Sequence, residues 1–286
     1  VNAGAGRPWP APAKLNLFLH ILGRRSDGYH ELQTCFQFVD LCDDITIRVR
    51  HDGSIQRGAG APGVAPEQDL CVRAARALQT AAGCAMGAEI SVIKRIPMGA
   101  GLGGGSSDAA TCLVALNRLW ELNWTPAELA ALGLKLGADV PVFVHGRAAF
   151  AEGVGERLTP LYPPLAPPEL NYLILKPNVF VSTKDVFQDP ELTRNSPPIT
   201  IHGFLASGGE NDCVGVVRRR YPEVARAMDW LSRFGVARLT GTGACVFLAC
   251  ETMEGREIAE RLPPDVDAFF TRSLNDSPLL ERLAAG

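Results

Sequence analysis

The stretch Pro97-Met98-Gly99-Ala100-Gly101-Leu102-Gly103-Gly104-Gly105-Ser106-Ser107-Asp108-Ala109-Ala110 decides how this chain is read. Five of the seven residues from Gly99 to Gly105 are glycine, the residue that loses most backbone freedom on folding. Such a run between a strand-like and a helix-like segment needs a compensating role. Glycines let the backbone approach a ligand closely and turn successive N–H groups inward as an anion nest. The helix predicted after them aims the positive end of its dipole at the same point. Ser106 and Ser107 add hydroxyl groups. We therefore read Pro97–Ser107 as a cradle for a di- or triphosphate. A floppy surface loop would need neither the alternating segment before it nor the patterned helix after it.

Working outward from the loop, Glu89–Ile96 alternates apolar and polar residues and stops at Pro97, which predicts a strand. After the loop a helix is predicted over Ser106–Leu122, with Cys112, Leu113, Leu116, Leu119 and Trp120 on one stripe. Thr125, Pro126 and Glu128 form the signature of a capped helix start, and Gly137 is its predicted stop. An apolar stretch, Val140–Val144, follows. Upstream, strands are predicted over Ala13–Ile21, Leu32–Val39 and Asp44–Val49, with a turn at Arg24–Gly28. Gly53–Pro66 reads as a loop and Leu70–Ala82 as an alanine-rich helix. Downstream, Tyr172–Leu175 reads as a strand and Pro222–Phe234 as an amphipathic helix. Leu239 and Cys245–Ala249 frame the turn Thr240-Gly241-Thr242-Gly243. Strands and helices mix without β-α-β alternation, which predicts an α+β fold.

Three other phosphate-binding designs fail on the residues. A Walker loop needs Gly-Lys, and the chain has no such dipeptide. Gly99, Gly101 and Gly104 satisfy the dinucleotide fingerprint, but that fold needs a strand after the helix; here a second helix begins at Pro126. The V-A-I-K, H-R-D and D-F-G set of protein kinases is missing.

Composition sets the remaining bounds. The 286 residues carry a net charge of -3, without the basic excess that marks nucleic-acid binding. Arg218-Arg219-Arg220 is expected to be a solvated helix end. The eight cysteines include no C-x-x-C pair, so free thiols in a reducing cytoplasm are expected. No apolar run reaches the ~20 residues of a membrane span, and Val1–Lys14 reads as a flexible arm lacking a signal-peptide core. No membrane, nucleic-acid or obligate protein partner is expected.

Three segments together carry a family resemblance: Ala13-Lys14-Leu15-Asn16-Leu17, Pro97–Ala110, and Leu239-Thr240-Gly241-Thr242-Gly243-Ala244-Cys245-Val246-Phe247. With them the chain resembles the GHMP small-molecule kinases from about Pro12 to about Leu280. The triple glycine, Asp27-Gly28-Tyr29-His30 and Leu136–Phe143 resemble one branch of that superfamily. Its acceptor is a methylerythritol carrying a cytidine diphosphate group. Homoserine and mevalonate kinases share the loop without the flanking motifs and stand as the alternative.

The resemblance implies two lobes with the site in the cleft between them. The first lobe is expected over residues 1–154 and the second over 155–286. The four prolines of Tyr162–Glu169 make that stretch the clearest break between regular segments. Ser273–Gly286 is expected to fold back onto the first lobe. It also implies transfer of the γ-phosphoryl group of ATP, with Mg2+, to the 2-hydroxyl of the acceptor in the non-mevalonate isoprenoid route.

Asp139, from the residues alone equally a turn cap and a catalytic carboxylate, is implied to be the base or the group that orients the hydroxyl. Lys14 is its implied partner, keeping it ionised and stabilising charge on the transferred group. Pro97, Met98, Gly99, Ala100, Gly101, Leu102, Gly103, Gly104, Gly105, Ser106 and Ser107 are implied to hold ATP. Tyr29 and Phe187, which read bare are ordinary core aromatics, are implied to sandwich the cytosine, with His30 on the base edge. Asn16 and Thr183 are implied to hold the diphosphate or erythritol end. Gly241, Thr242 and Gly243 are implied to touch the site, although a tight hairpin fits them as well. No metal ligands are fixed; Ser107 and Asp108 are neighbours to consider. Lys94 and Arg95 read equally as nucleotide contacts and as solvated strand ends.

Overall fold

The first two strands set the frame. A computed structural model of the chain describes residues 7–60 and 63–285. In it β1 (Trp9–Arg24) pairs antiparallel along nearly its whole length with β2 (His30–Arg50). Of the expected N-terminal arm, Trp9–Pro12 therefore belongs to a strand, and residues 1–6 lie outside the described residues. Two separate strands were predicted where β2 runs unbroken. The polar run Asp40–Asp44 stays extended because it pairs with β1 on one side and begins the pairing with β4 on the other. β1 is buried on both faces, so its sequence lacks the clean alternation of a strand with one wet face.

The remaining strands are β3 (Ile55–Arg57), β4 (Gly87–Ile93), β5 (Ala149–Glu152), β6 (Arg157–Pro160), β7 (Asn171–Pro177), β8 (Arg238–Leu239), β9 (Val246–Ala249) and β10 (Val266–Leu274). They form one sheet in the order β3-β4-β2-β10-β7-β9-β8, with β1 and β5 also on β2 and β6 on β5. The loop expected over Gly53–Pro66 thus contains β3, which pairs parallel with β4; Ala61 and Pro62 lie outside the described residues.

The first helices are α1 (Leu70–Ala82), α2 (Gly104–Leu119), α3 (Pro126–Leu134) and α4 (Val140–His145). α1 has the predicted bounds, started by the Asp69 side chain on the Cys71 N–H and ended by left-handed Gly83. α3 carries the predicted capping box between Thr125 and Glu128. It ends at Leu134, short of Gly137, whose N–H still returns to the Gly133 carbonyl at 3.1 Å. These helices pack on β2 and β4 around Ile45, Leu78, Ile90, Leu113, Leu116, Val140 and Phe143. Each such fully buried side chain stabilises the fold by about 1.5–3 kcal/mol.

Six more helices follow: α5 (Thr183–Gln188), α6 (Ile201–Ser207), α7 (Val214–Arg220), α8 (Pro222–Leu231), α9 (Thr252–Ala259) and α10 (Pro278–Ala284). A second cluster packs α7 and α8 on β7 and β9 through Val217, Val224, Leu231, Leu173, Leu175 and Val246. A third joins the two, with Leu15, Phe18 and Leu102 against Ile174 and Phe247. α10 returns to the first half, where Leu279 enters the first cluster and the Arg282 guanidinium lies over Trp9. The arginines ending α7 are ion-paired as well as solvated: Arg219 and Arg220 reach the buried Asp189 at 2.6 and 3.1 Å, and Arg218 meets Asp229 at 2.8 Å. All eight cysteines are free thiols. No helix among the described residues is long and apolar enough to cross a membrane.

Candidate active site

The glycine run lies between β4 and α2, at the seam between the two main clusters. α2 begins earlier than its apolar stripe predicts, at Gly104, with left-handed Gly103 as its cap residue. The last glycines thus form the first helical turn, where backbone N–H groups lack intrahelical partners. Gly99, Gly101 and Gly103 have φ of 63°, 78° and 73°, an alternation of hand that builds a nest of inward N–H groups. The carbonyls between them face the protein. Ala100 accepts from the Cys245 N–H at 3.1 Å and Leu102 from the Lys14 N–H at 3.0 Å. Gly101 accepts from the Thr240 hydroxyl at 3.3 Å. A Cβ at Gly101 would lie 2.3 Å from the Thr240 carbonyl oxygen, so close approach of two backbones fixes glycine there. Thr240 also accepts the Asn16 N–H at 3.0 Å, tying the loop, β1 and the Thr240–Gly243 turn at one hydroxyl.

The loop borders a cavity of about 580 Å³. Of the residues singled out in the sequence, Lys14, Asn16, Lys94, Pro97–Gly101, Gly103–Ser106, Asp108, Asp139, Thr183, Phe187, Gly241 and Thr242 line it. Leu102 and Ser107 are buried beneath it, and Gly243 faces Leu239, Val217 and Val181. Lys14 is buried, although a lysine in a strand normally lies at an exposed edge. Its ammonium group meets Asp139 at 3.2 Å and donates to Asn16 Oδ1 at 2.5 Å. Asn16 in turn donates to Thr34 at 2.9 Å. Asp139 occupies the cap position of α4 yet makes no capping hydrogen bond. Its carboxylate is turned to Lys14 and partly open to the cavity, its side chain 32 % exposed.

Beneath the other end of the loop lies a triad that the sequence reading did not assemble. Lys94 donates to Asp43 and, at 2.6 Å, to Asp108. Asp43 Oδ1 accepts the backbone N–H groups of Arg95 at 2.5 Å and Ile96 at 2.8 Å, pinning the entry to Pro97. One lysine thus faces two buried carboxyls. Burial outweighs the pull of Lys94 and pushes the Asp108 carboxyl up to about 7. Burial opposes the charge on Lys94, but Asp108 and Asp43 together raise its pKa above the usual lysine value. Lys94 lines the cavity, whereas Arg95 turns outward to Asp44 at 2.6 Å.

At the far end, the Thr183 and Thr242 hydroxyls bond at 2.9 Å, joining α5 to the glycine turn. The ring stacked on Phe187 is that of His30, with centroids 5.1 Å apart and planes at 26°. Tyr29 closes the β1–β2 turn, its carbonyl accepting the Arg25 N–H at 2.8 Å; it is 62 % exposed, its N–H donating to Asp27 at 3.0 Å. The structure therefore stacks His30 on Phe187, and Tyr29, the residue before His30, is exposed. Asp43, Thr34 and Arg194 gave no sequence signal, since the partners that tie them to the site, Lys94, Asn16 and His30, lie 51, 18 and 164 residues away and follow no fixed spacing.

The sequence profile of the GHMP kinases N terminal domain matches residues 69–147, and that of the GHMP kinases C terminal matches 201–266. The chain belongs to the GHMP kinases. Among GHMP kinases it is 54% identical over 275 residues to the 4-diphosphocytidyl-2-C-methyl-D-erythritol kinase of Pseudomonas aeruginosa, covering 96% of each chain. It is 52% identical over 280 residues to that of Shewanella denitrificans, covering 97% of each. A crystal structure of 4-(cytidine 5'-diphospho)-2C-methyl-D-erythritol kinase superposes with a TM-score of 0.79 at 36% identity, over 92% of this chain and 98% of that one. The Methanococcus jannaschii mevalonate kinase, at 17% identity, TM-score 0.71 and coverage of 96% and 100%, shares the GHMP kinase fold.

Proposed function

We infer that this GHMP kinase transfers the γ-phosphoryl group of ATP to the 2-hydroxyl of 4-diphosphocytidyl-2-C-methyl-D-erythritol. The products are ADP and the 2-phosphate, in the non-mevalonate route to isoprenoid precursors. The observation that carries the chemistry is the Lys14–Asp139 contact at 3.2 Å, on the wall of the cavity that the glycine loop borders. Phosphoryl transfer needs positioning and charge stabilisation more than covalent help. The loop amides hold the polyphosphate, and Asp139 accepts or orients the acceptor hydroxyl. Lys14, already fixed by Asn16, stabilises charge on the transferred group without reorganising. Asn16, Thr183, Gly241 and Thr242 meet the acceptor's diphosphate or erythritol end, and Tyr29, His30 and Phe187 meet its base.

The residues present fit a magnesium ion. Ser106 and Asp139 both offer hard oxygen donors to the cavity, the type that Mg2+ takes alongside substrate phosphates. Bound there, the ion would neutralise the β- and γ-oxygens. Ser107 is buried, whereas Asp108 also lines the cavity, its Oδ2 on Lys94 and its Oδ1 without a hydrogen-bond partner, and stays a neighbour to consider beside Ser106 and Asp139. We read residues 1–154 as the nucleotide lobe and 155–286 as the acceptor lobe, each with its own apolar cluster. Eight free thiols fit a cytoplasmic enzyme.

A coupled ADP-release assay with three acceptors tests the reading. Turnover is expected with 4-diphosphocytidyl-2-C-methyl-D-erythritol and background rates with homoserine and mevalonate. Comparable turnover of either of the latter would sink it.

A further inference from the structure

We propose that Arg194 is a positioning residue for base recognition: it holds His30 as the neutral tautomer with its proton on Nδ1. The inference rests on the reading of His30 as the base-edge contact. The Arg194 Nε–H donates to His30 Nε2 at 3.1 Å. A nitrogen that accepts this bond carries no proton, so the neutral ring's proton sits on Nδ1. Arg194 cannot easily turn away. Its other nitrogens donate to the carbonyls of Leu192 at 3.1 Å, Phe187 at 2.9 Å and Asp189 at 2.7 Å. The guanidinium is thus locked to the segment that carries Phe187, and through Nε it locks the imidazole lying on that same phenyl ring.

Charge points the same way. His30 is 8 % exposed, and burial, then the positive charges of Arg194 and Arg24, push its pKa below the usual imidazole value. The ring stays neutral at ordinary pH and shows a base one donor, Nδ1–H, which makes no hydrogen bond among the described residues. Its plane lies 26° from that of Phe187. A base stacked on the phenyl ring beside it therefore lies nearly coplanar with the imidazole and meets it edge to edge. Cytosine N3 accepts a hydrogen bond there; uracil N3 carries a hydrogen and cannot. Arg194 would in this way set the preference for cytosine without touching it, since an unmatched buried polar group discriminates strongly.

The test is a double-mutant cycle on the full chain, read as acceptor KM and kcat, with thermal midpoints as the control for folding. His30→Ala should raise KM roughly tenfold, the worth of one hydrogen bond, with kcat little changed. An unmoved KM would reject His30 as the base contact, and the inference with it. Given that rise, Arg194→Met should raise KM by a similar factor, and the double variant should be no worse than His30→Ala. Multiplication of the two factors in the double variant would overturn the proposal, because Arg194 would then act on its loop and not through His30. Long-range 1H–15N spectra of histidine-labelled wild-type protein give an independent reading. The His30 proton is expected on Nδ1; finding it on Nε2 would overturn the proposal even if Arg194→Met fails to fold.

Discussion

Replacing Gly101 and Gly99 separately with alanine separates two causes of the glycine requirement in the loop. Both residues are left-handed, at φ 78° and 63°, and an alanine there costs about 1–2 kcal/mol. Their surroundings differ. A Cβ at Gly99 would lie 2.7 Å from the ring of Phe180, which is 72 % exposed and free to swing aside. A Cβ at Gly101 would lie 2.3 Å from the Thr240 carbonyl oxygen and 3.1 Å from that of Gly243. No side-chain rotation relieves that contact, so the loop and the turn must separate. The bonds at risk are Thr240 to Gly101 at 3.3 Å and Cys245 to Ala100 at 3.1 Å, each worth about 1 kcal/mol. Gly101→Ala thus loses about 3–4 kcal/mol of loop organisation, and Gly99→Ala only the strain. Both sums are below the ~5–15 kcal/mol of a typical fold, so the chain remains folded. In kcat/KM the losses should be about two to three orders of magnitude for Gly101→Ala and roughly 5- to 30-fold for Gly99→Ala. Steady-state kinetics with circular dichroism as the folding control would measure both. Equal losses at the two positions would refute the backbone-contact argument.

Asp139→Asn should leave ATP-analogue binding by calorimetry nearly intact and lower kcat about 10²- to 10⁴-fold; unchanged turnover would remove Asp139 from the chemistry. Thr240→Val leaves the Asn16 N–H without its acceptor and should lower stability in urea by about 1–3 kcal/mol, whereas Thr240→Ser should restore most of it. Asp108, with its carboxyl raised to about 7, binds more protons folded than unfolded between about pH 4 and 7. Its contribution is therefore fully present below about pH 4 and lost as pH rises through 7. Asp108→Asn should remove that component from the thermal midpoint measured against pH, and an unaltered profile would exclude it.

Much of this was legible where the signal is local. The glycine loop, the bounds of α1 and the Thr125 capping box follow from residues within a few positions of each other. The unbroken course of β2 was not, because Asp40–Asp44 reads as a break. Its extended form depends on pairing with β1 and on Asp43 accepting N–H groups from residues 52 and 53 positions away. The site divides in the same way. Lys14, Asn16 and Asp139 lie in motifs that resemblance could carry, and the cavity brings them together. The Asp43–Lys94–Asp108 triad and Arg194 depend on tertiary partners. Tyr29 and His30 belong to a recognisable motif, yet the stacking of His30 on Phe187 is a ring pairing of which chain pattern says nothing.

The seating of β10 between β2 and β7 has a consequence for how the molecule is made. Arg272, on β10, bonds Asp40 across 232 residues of chain, so nearly the whole polypeptide must leave the ribosome before the central slot can be filled. Until then the two neighbouring strands each offer a bare edge to any passing extended segment. Closing so long a loop is slow, and a nascent chain stalled before Val266 would expose a template for aggregation in place of a working kinase.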